Sequence, residues 1–111
     1  MKIIVVSGGF DPIHSGHISY MKSSKDIGDY LVVALNSDEW LINKKKKVFM
    51  NFEERKNILL NIGFVNEVIN FGEAKLYIKK MISPCFLIKE KKPVYFVITY
   101  LLYKHLLNSK L

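Results

Sequence analysis

The sequence predicts an α/β fold on a mainly parallel sheet, and three observations carry that prediction. Lys2-Ile-Ile-Val-Val6 and Tyr30-Leu-Val-Val-Ala-Leu35 are apolar, β-rich runs without alternation, as strands buried on both faces require. Between them, Ser7-Gly8-Gly9 and Gly28 bracket a stretch of helical length. A third apolar run near Val68 repeats the pattern, and strands alternating with helices imply right-handed crossovers.

Taken in order, the first strand is broken by Ser7-Gly8-Gly9, and a helix is predicted over about 16–27, with Ile18, Met21 and Ile27 on one side and Gly28 as its stop. After the second strand, Asn36-Ser37-Asp38 supplies caps for a short helical turn holding Trp40 and Leu41. Lys44 to Lys47 read as a charged loop. Asn51 caps the next helix, with Glu54 at its third position in a near capping box. Ile58, Leu59 and Ile62 form that helix's apolar face, Gly63 ends it, and Val65 to Phe71 is the third strand. Beyond it, Glu73 to Ile82 reads as a helix ended by Ser83-Pro84. Cys85 to Ile88 and Val94 to Tyr100 read as strands, and Tyr100 to Leu107 fits strand or helix equally.

Length and composition bound the function. At 111 residues, half of them hydrophobic, the chain forms one domain with a modest core, 1–111. One cysteine, Cys85, excludes a disulfide framework and a Cys-rich zinc site, and fits a reducing cytoplasm. No secretory signal is expected from a four-residue apolar run followed by Ser-Gly-Gly. The longest apolar stretch, Val94 to Tyr103, is about half of the roughly 20 residues a membrane span needs. The net charge is +7, unevenly placed. Residues 1–72 carry nine Lys and Arg against eight Asp and Glu, residues 73–111 eight against two. The last third is therefore a distinct basic tail, attractive to anions in general.

The stretch that carries chemistry is Gly8-Gly9-Phe10-Asp11-Pro12-Ile13-His14-Ser15-Gly16-His17, between the first strand and the first helix. Paired glycines let backbone amides approach a ligand, and a helix start adds N–H groups and a positive dipole end. His14 and His17, three apart, lie on one side of that start, with Gly16 keeping the face open. The arrangement describes a phosphate cradle with two proton-capable donors. Two histidines three apart could simply be solvated helix-start residues, but Gly8-Gly9-Phe10-Asp11 before them and Gly16 between them favour the functional reading. Lys44 to Lys47 could be a solvated loop, and Arg55 could support its helix through Glu54 or Asp29. Trp40 reads as a packing residue rather than a base-stacking one, and His105 as a surface or core histidine.

The stretch resembles the GxFDxxHxGH signature of the cytidylyltransferase-like nucleotidyltransferases, with every fixed position matched. Gly28-Asp29-Tyr-Leu-Val-Val-Ala, Asn36-Ser37-Asp38-Glu39, the lysines, Glu54-Arg55 and Val65-Asn66-Glu67-Val68-Ile69 follow in the family's order, so the likeness covers residues 1–72. Glycerol-3-phosphate cytidylyltransferases and heptose-phosphate adenylyltransferases are the members it is most similar to.

The resemblance implies a Rossmann-like three-layer fold, altered in its last third, and transfer of CMP or AMP from a nucleoside triphosphate to a phosphorylated polyol or sugar, with release of pyrophosphate. It further implies that His14, His17 and Lys46 are catalytic, and that Gly8, Gly9, Phe10, Asp11, Ser15 and Gly16 line the nucleotide with them. Lys44 and Arg55 would contact the acceptor. Mg2+ would come with the triphosphate, CTP before ATP, and no residue is assigned as a metal ligand. Homodimers are common in the family.

The family's closing Ser-Thr or Thr-Thr segment is not recognisable here, since Ser83, Thr99 and Ser109 stand alone. Residues 73–111 are therefore either a replacement of the ancestral half or a source of substitute strands and basic contacts. The alternative function is a catalytically silent nucleotide-binding or interaction domain. A nucleic-acid role is not expected, because Tyr95, Phe96, Tyr100 and Tyr103 read as core and do not interleave with the basic residues.

Overall fold

The computed structural model describes residues 2–74, residue 76 and the backbone of residues 94–97. Its elements are β1 (Ile3–Gly8), α1 (Ser15–Asp26), β2 (Tyr30–Leu35), α2 (Asp38–Lys45), α3 (Phe52–Leu60), β3 (Glu67–Asn70), a 3-10 turn (Phe71–Glu73) and β4 (Val94–Val97). The four strands form one parallel sheet in the order β3-β2-β1-β4. The expected α/β architecture is therefore present.

The two non-alternating runs behave as read. Val5, Val6, Val32 and Val33 are wholly buried, because both faces of the central pair are covered. On one face Ile4, Val6, Leu31, Val33 and Leu35 pack with Met21 of α1 and Leu59 of α3. On the other, Ile3, Val5, Val32 and Ala34 meet Ala74. The strand order also fixes where a ligand can go. The chain runs outward from β1 through β2 to β3, then returns to place β4 on β1's far side. Such a reversal leaves a crevice at the carboxyl ends of the strands, and the Gly8-to-His17 stretch leaves β1 there.

Several local expectations need correction. Ile18 and Ile27 do not share Met21's face; they are exposed, whereas Met21 and Ser24 are buried. The inward stripe is His17, Tyr20, Met21 and Ser24, at i, i+3, i+4 and i+7, and Ser24 fits because its hydroxyl donates to Tyr20 O at 2.9 Å. The short turn after β2 is a full helix, so Lys44 and Lys45 form its last turn rather than a loop, where cations meet the negative dipole end. Asn61 caps α3 and Gly63 lies beyond it, while β3 is confined to Glu67–Asn70. Ser37 and Asn51 do cap, accepting from the amides of Trp40 and Glu54.

In the tail, β4 occupies the start of the expected Val94–Tyr100 strand. The helix expected over 73–82 beyond residue 76, the strand over 85–88, the 98–107 segment, His105 and the packing of Tyr95, Phe96, Tyr100 and Tyr103 lie outside the described residues. No helix among the described residues is long and apolar enough to cross a membrane.

Asn66 sets the register of β3 against β2. Its amide donates to Leu31 O at 3.0 Å, and its Oδ1 accepts from Leu31 N at 2.8 Å and Lys25 Nζ at 2.7 Å. Asn66→Ala leaves Leu31 N without its acceptor and is expected to cost about 1–3 kcal/mol, read by urea unfolding. An unchanged midpoint would show that the amide is satisfied without Asn66.

Candidate functional site

The loop after β1 folds back on itself before it meets any ligand. Phe10 has a positive φ of 50°, a region that strains a non-glycine residue, and its ring is buried in the core. Neither Gly8 nor Gly9 has a positive φ. Their role is space: a Cβ on Gly8 would lie 2.9 Å from the Phe10 ring, and one on Gly9 2.7 Å from Leu41 Cδ2. The glycines thus admit the chain's own side chains, a requirement beyond the ligand approach expected of them.

His14 and His17 are joined at the start of α1. His14 is the N-cap, and its Nδ1 accepts from Gly16 N at 3.0 Å, while His17 Nδ1 accepts from His14 N at 3.1 Å. The two imidazoles stack at 3.8 Å between centroids, and His17 also meets Phe10 edge-on at 5.2 Å. Gly16 permits this, since a Cβ there would lie 2.8 Å from His14 Cε1. Because each Nδ1 is an acceptor, each ring carries its proton on Nε2, a tautomer assigned from those amide bonds. The donors at this helix start are therefore two neutral Nε2–H groups, with the Gly16 amide already engaged beneath them. Burial, then the repulsion between the two rings when both carry a proton, hold the His17 pKa below its ordinary 6.5.

Asp11 faces the chain rather than solvent. Its carboxylate accepts from Phe49 N at 2.8 Å and Met50 N at 2.7 Å and pairs with Lys45 Nζ at 2.9 Å. Lys45 Nζ also donates to Asp11 O. Burial pushes the Asp11 pKa up, but Lys45 and the two amides outweigh it and hold the carboxyl below its usual value. Ser15 is the exposed first residue of α1.

Arg55 is the other inward residue. It is 1% exposed, donating through Nη1 to Gly9 O (2.8 Å) and Asn36 O (2.7 Å), through Nε to Met50 O (2.9 Å), and through Nη2 to Asp38 Oδ1 (2.6 Å). The contact to an acceptor phosphate expected of it does not fit this placement. Helix support through Glu54 or Asp29 does not describe it either, since its carboxylate partner is Asp38.

Lys44 and Lys46 are exposed at the end of α2. Lys44 Nζ sits 4.7 Å over the Trp40 ring, and Lys46 is the helix C-cap with φ 66°. Trp40 is 39% exposed, beside Gly9. Sequence reasoning missed Lys45, Asn36 and Asp38. For Lys45 a signal existed: it lies four residues after Leu41, which is buried against Gly9, so one face of α2 carries both toward the loop.

Comparison with known proteins matches this architecture to one family. The sequence profile described as Cytidylyltransferase-like matches residues 5–110. The chain belongs to the cytidylyltransferase-like family. It is 46% identical over 69 residues to the glycerol-3-phosphate cytidylyltransferase of Bacillus subtilis (strain 168), covering 62% of this chain and 54% of that protein. It is 39% identical over 74 residues to the bifunctional protein HldE of Helicobacter pylori (strain J99), covering 65% of this chain and 16% of that one. The chain thus spans about half the length of the cytidylyltransferase it matches. A lipopolysaccharide core biosynthesis protein from Thermoplasma volcanium shares the fold, with a TM-score of 0.66 and 22% identity over 90% of this chain and 98% of that one.

Two outcomes are expected of this cytidylyltransferase-like site. Arg55→Met strips donors from three carbonyls and a cation from Asp38, which should cost about 3–5 kcal/mol in denaturant unfolding. A loss under 1 kcal/mol would show that the guanidinium is dispensable. For His17, the unfolded chain takes up a proton near 6.5 and the folded chain only at lower pH. The contribution is full above 6.5 and is lost as pH falls through the folded value. Thermal midpoints between pH 7.5 and 5 should therefore fall more steeply for the wild type than for His17→Gln, and parallel curves would contradict the assignment.

Proposed function

We propose that this chain is a nucleotidyltransferase that moves CMP from CTP, in preference to AMP from ATP, to the phosphate of a small phosphorylated polyol or sugar, releasing pyrophosphate. The observation that carries the reading is the pair of stacked imidazoles at the start of α1, each held by Nδ1 and each left with Nε2–H as its donor, at the carboxyl end of β1. The preference for CTP is supported by the identity to glycerol-3-phosphate cytidylyltransferases.

In this reading a phosphate oxygen of the acceptor attacks the α-phosphorus of the triphosphate, and the bond to the departing pyrophosphate breaks. Little proton chemistry is needed, so the residues act by orienting anions and stabilising charge. His14 and His17 donate to phosphate oxygens as neutral imidazoles, which fits their engaged Nδ1 atoms. Lys46 meets the nucleotide phosphates and Lys44 the acceptor, both from the exposed end of α2. Arg55 and Asp11 hold the loops that carry these groups.

No three His, Cys, Asp or Glu gather into a metal cluster among the described residues, and the Asp11 carboxylate is taken by Lys45 and two amides. This donor set fits magnesium arriving on the triphosphate, held mainly by phosphate oxygens and water. So carried, it would supply charge neutralisation at the departing pyrophosphate. The cytoplasm, where nucleoside triphosphates are made, is the setting proposed with this activity.

The test is the thermal unfolding midpoint with Mg·CTP or Mg·ATP, followed by pyrophosphate release with glycerol 3-phosphate or a heptose phosphate. A nucleotide at 100 times its Kd adds about 2.7 kcal/mol, and His14→Ala and His17→Ala should abolish the gain. Binding without turnover on any phosphorylated acceptor would identify a silent binding domain instead. Equal stabilisation of wild type and both variants would remove the histidines from the site.

A further inference from the structure

The run Lys44-Lys45-Lys46-Lys47 offers four cations, and the structure separates them. Lys44 lies over the Trp40 ring and Lys47 over Phe49, while Lys46 ends α2 in the left-handed region. Lys45 alone turns onto the loop that leads into His14. Its ammonium reaches both the backbone oxygen and the carboxylate of Asp11, with the Asp11 side chain fully buried. The same carboxylate accepts the amides of Phe49 and Met50, beyond the lysine run. Lys45 Nζ also sits 4.9 Å over the Phe49 ring.

These contacts make a clasp. On one side is Asp11, three residues before the first imidazole. On the other are the last turn of α2 and the 46–50 segment, so Lys46 is held between Lys45 and the Asp11-bound amides. The charges of Lys45 and Asp11 cancel, leaving Lys45 none for a ligand.

We propose that Lys45 is a positioning residue for the nucleotide site: through Asp11 it fixes the lysine-bearing end of α2 against the histidine loop, so that Lys46 and the two imidazoles face one triphosphate. The proposal rests on the site reading given under the proposed function. Its consequence is that Lys45 matters for nucleotide affinity although it never touches the nucleotide.

The experiment compares wild type, Lys45→Met, Lys45→Arg and Lys46→Met for Mg·CTP affinity by calorimetry, thermal midpoint, and hydrogen exchange at the Phe49 and Met50 amides. Lys45→Met is expected to remain folded, exchange those two amides at least tenfold faster and bind Mg·CTP about tenfold more weakly. Lys45→Arg should restore both. Lys46→Met should weaken binding with exchange at Phe49 and Met50 unchanged, which separates a ligand contact from a positioning one.

Wild type that binds while Lys45→Met keeps the same affinity, or the same amide protection, overturns the proposal and leaves the site reading intact. Wild type that binds neither Mg·CTP nor Mg·ATP overturns both. If Lys45→Met does not fold, Lys45→Gln serves in its place, and affinity equal to wild type in that variant overturns the proposal as well.

Discussion

The site depends on one buried cation. Arg55 enters from α3 and brings together the oxygens of Gly9, Asn36, Met50 and Asp38, which belong to the loop after β1, the end of β2, the approach to α3 and the first turn of α2. Burying a charge is unfavourable unless its hydrogen-bonding capacity is met, and here three carbonyls and a carboxylate meet it. A lysine could not substitute, because a single ammonium nitrogen cannot present donors to oxygens spread around a planar fork. Beside the guanidinium, Leu41 and Trp40 of α2 lie against Gly9. The carboxyl edge of the sheet is therefore organised by a polar knot, while its interior is organised by aliphatic packing.

On that foundation the histidine pair has two roles at once. An N-cap is ordinarily Ser, Thr, Asp or Asn, since a short oxygen-bearing side chain reaches the second or third amide most easily. His14 does the same work with a ring nitrogen, and His17 returns the favour from the third position. The substitution is less natural for a helix and more useful for a ligand, because capping through Nδ1 fixes each ring and leaves its other nitrogen protonated. Local preference is overridden here, a kind of departure expected at functional sites, and it agrees with the ligand role proposed for the pair. The strained φ of Phe10 belongs to the same compromise: its ring enters the core under Gly8 and supports His17 edge-on.

How much of this was legible in the sequence follows from the range of each interaction. β1 and β2 were legible because strands buried on both faces must be continuously apolar, and Ser37 and Asn51 because caps act over two or three residues. The face of α1 was misread through Ile18 and Ile27, since its inward stripe includes Ser24, whose hydroxyl is satisfied by its own helix. Arg55 was visible as a cation but not as a buried one. Its acceptors are mostly main-chain carbonyls, 19 and 46 residues away in two cases, and carbonyls leave no pattern in a sequence. The contact of Lys45 with Asp11 was hard to read for a related reason: four consecutive lysines differ only by the helical phase that Leu41 sets.

The distribution of charge leads to a last point about chemistry. Of the cations near the loop, Arg55 and Lys45 are engaged by the chain's own oxygens, and Lys44 leans on an indole face, a weak and exposed contact. Lys46 is exposed at the end of α2, and the imidazoles are neutral donors. The cations that hold the chain together are therefore distinct from the exposed Lys44, Lys46 and Lys47, and the two imidazoles are donors fixed before any anion arrives. In the nucleotidyltransferase reading proposed for this chain, such a site selects by geometry, favouring an extended polyphosphate that reaches both the start of α1 and the end of α2 over a single phosphate that reaches only one. Fixed dipoles of this kind stabilise charge that develops during reaction without reorganising, which is the most effective use of electrostatics in catalysis.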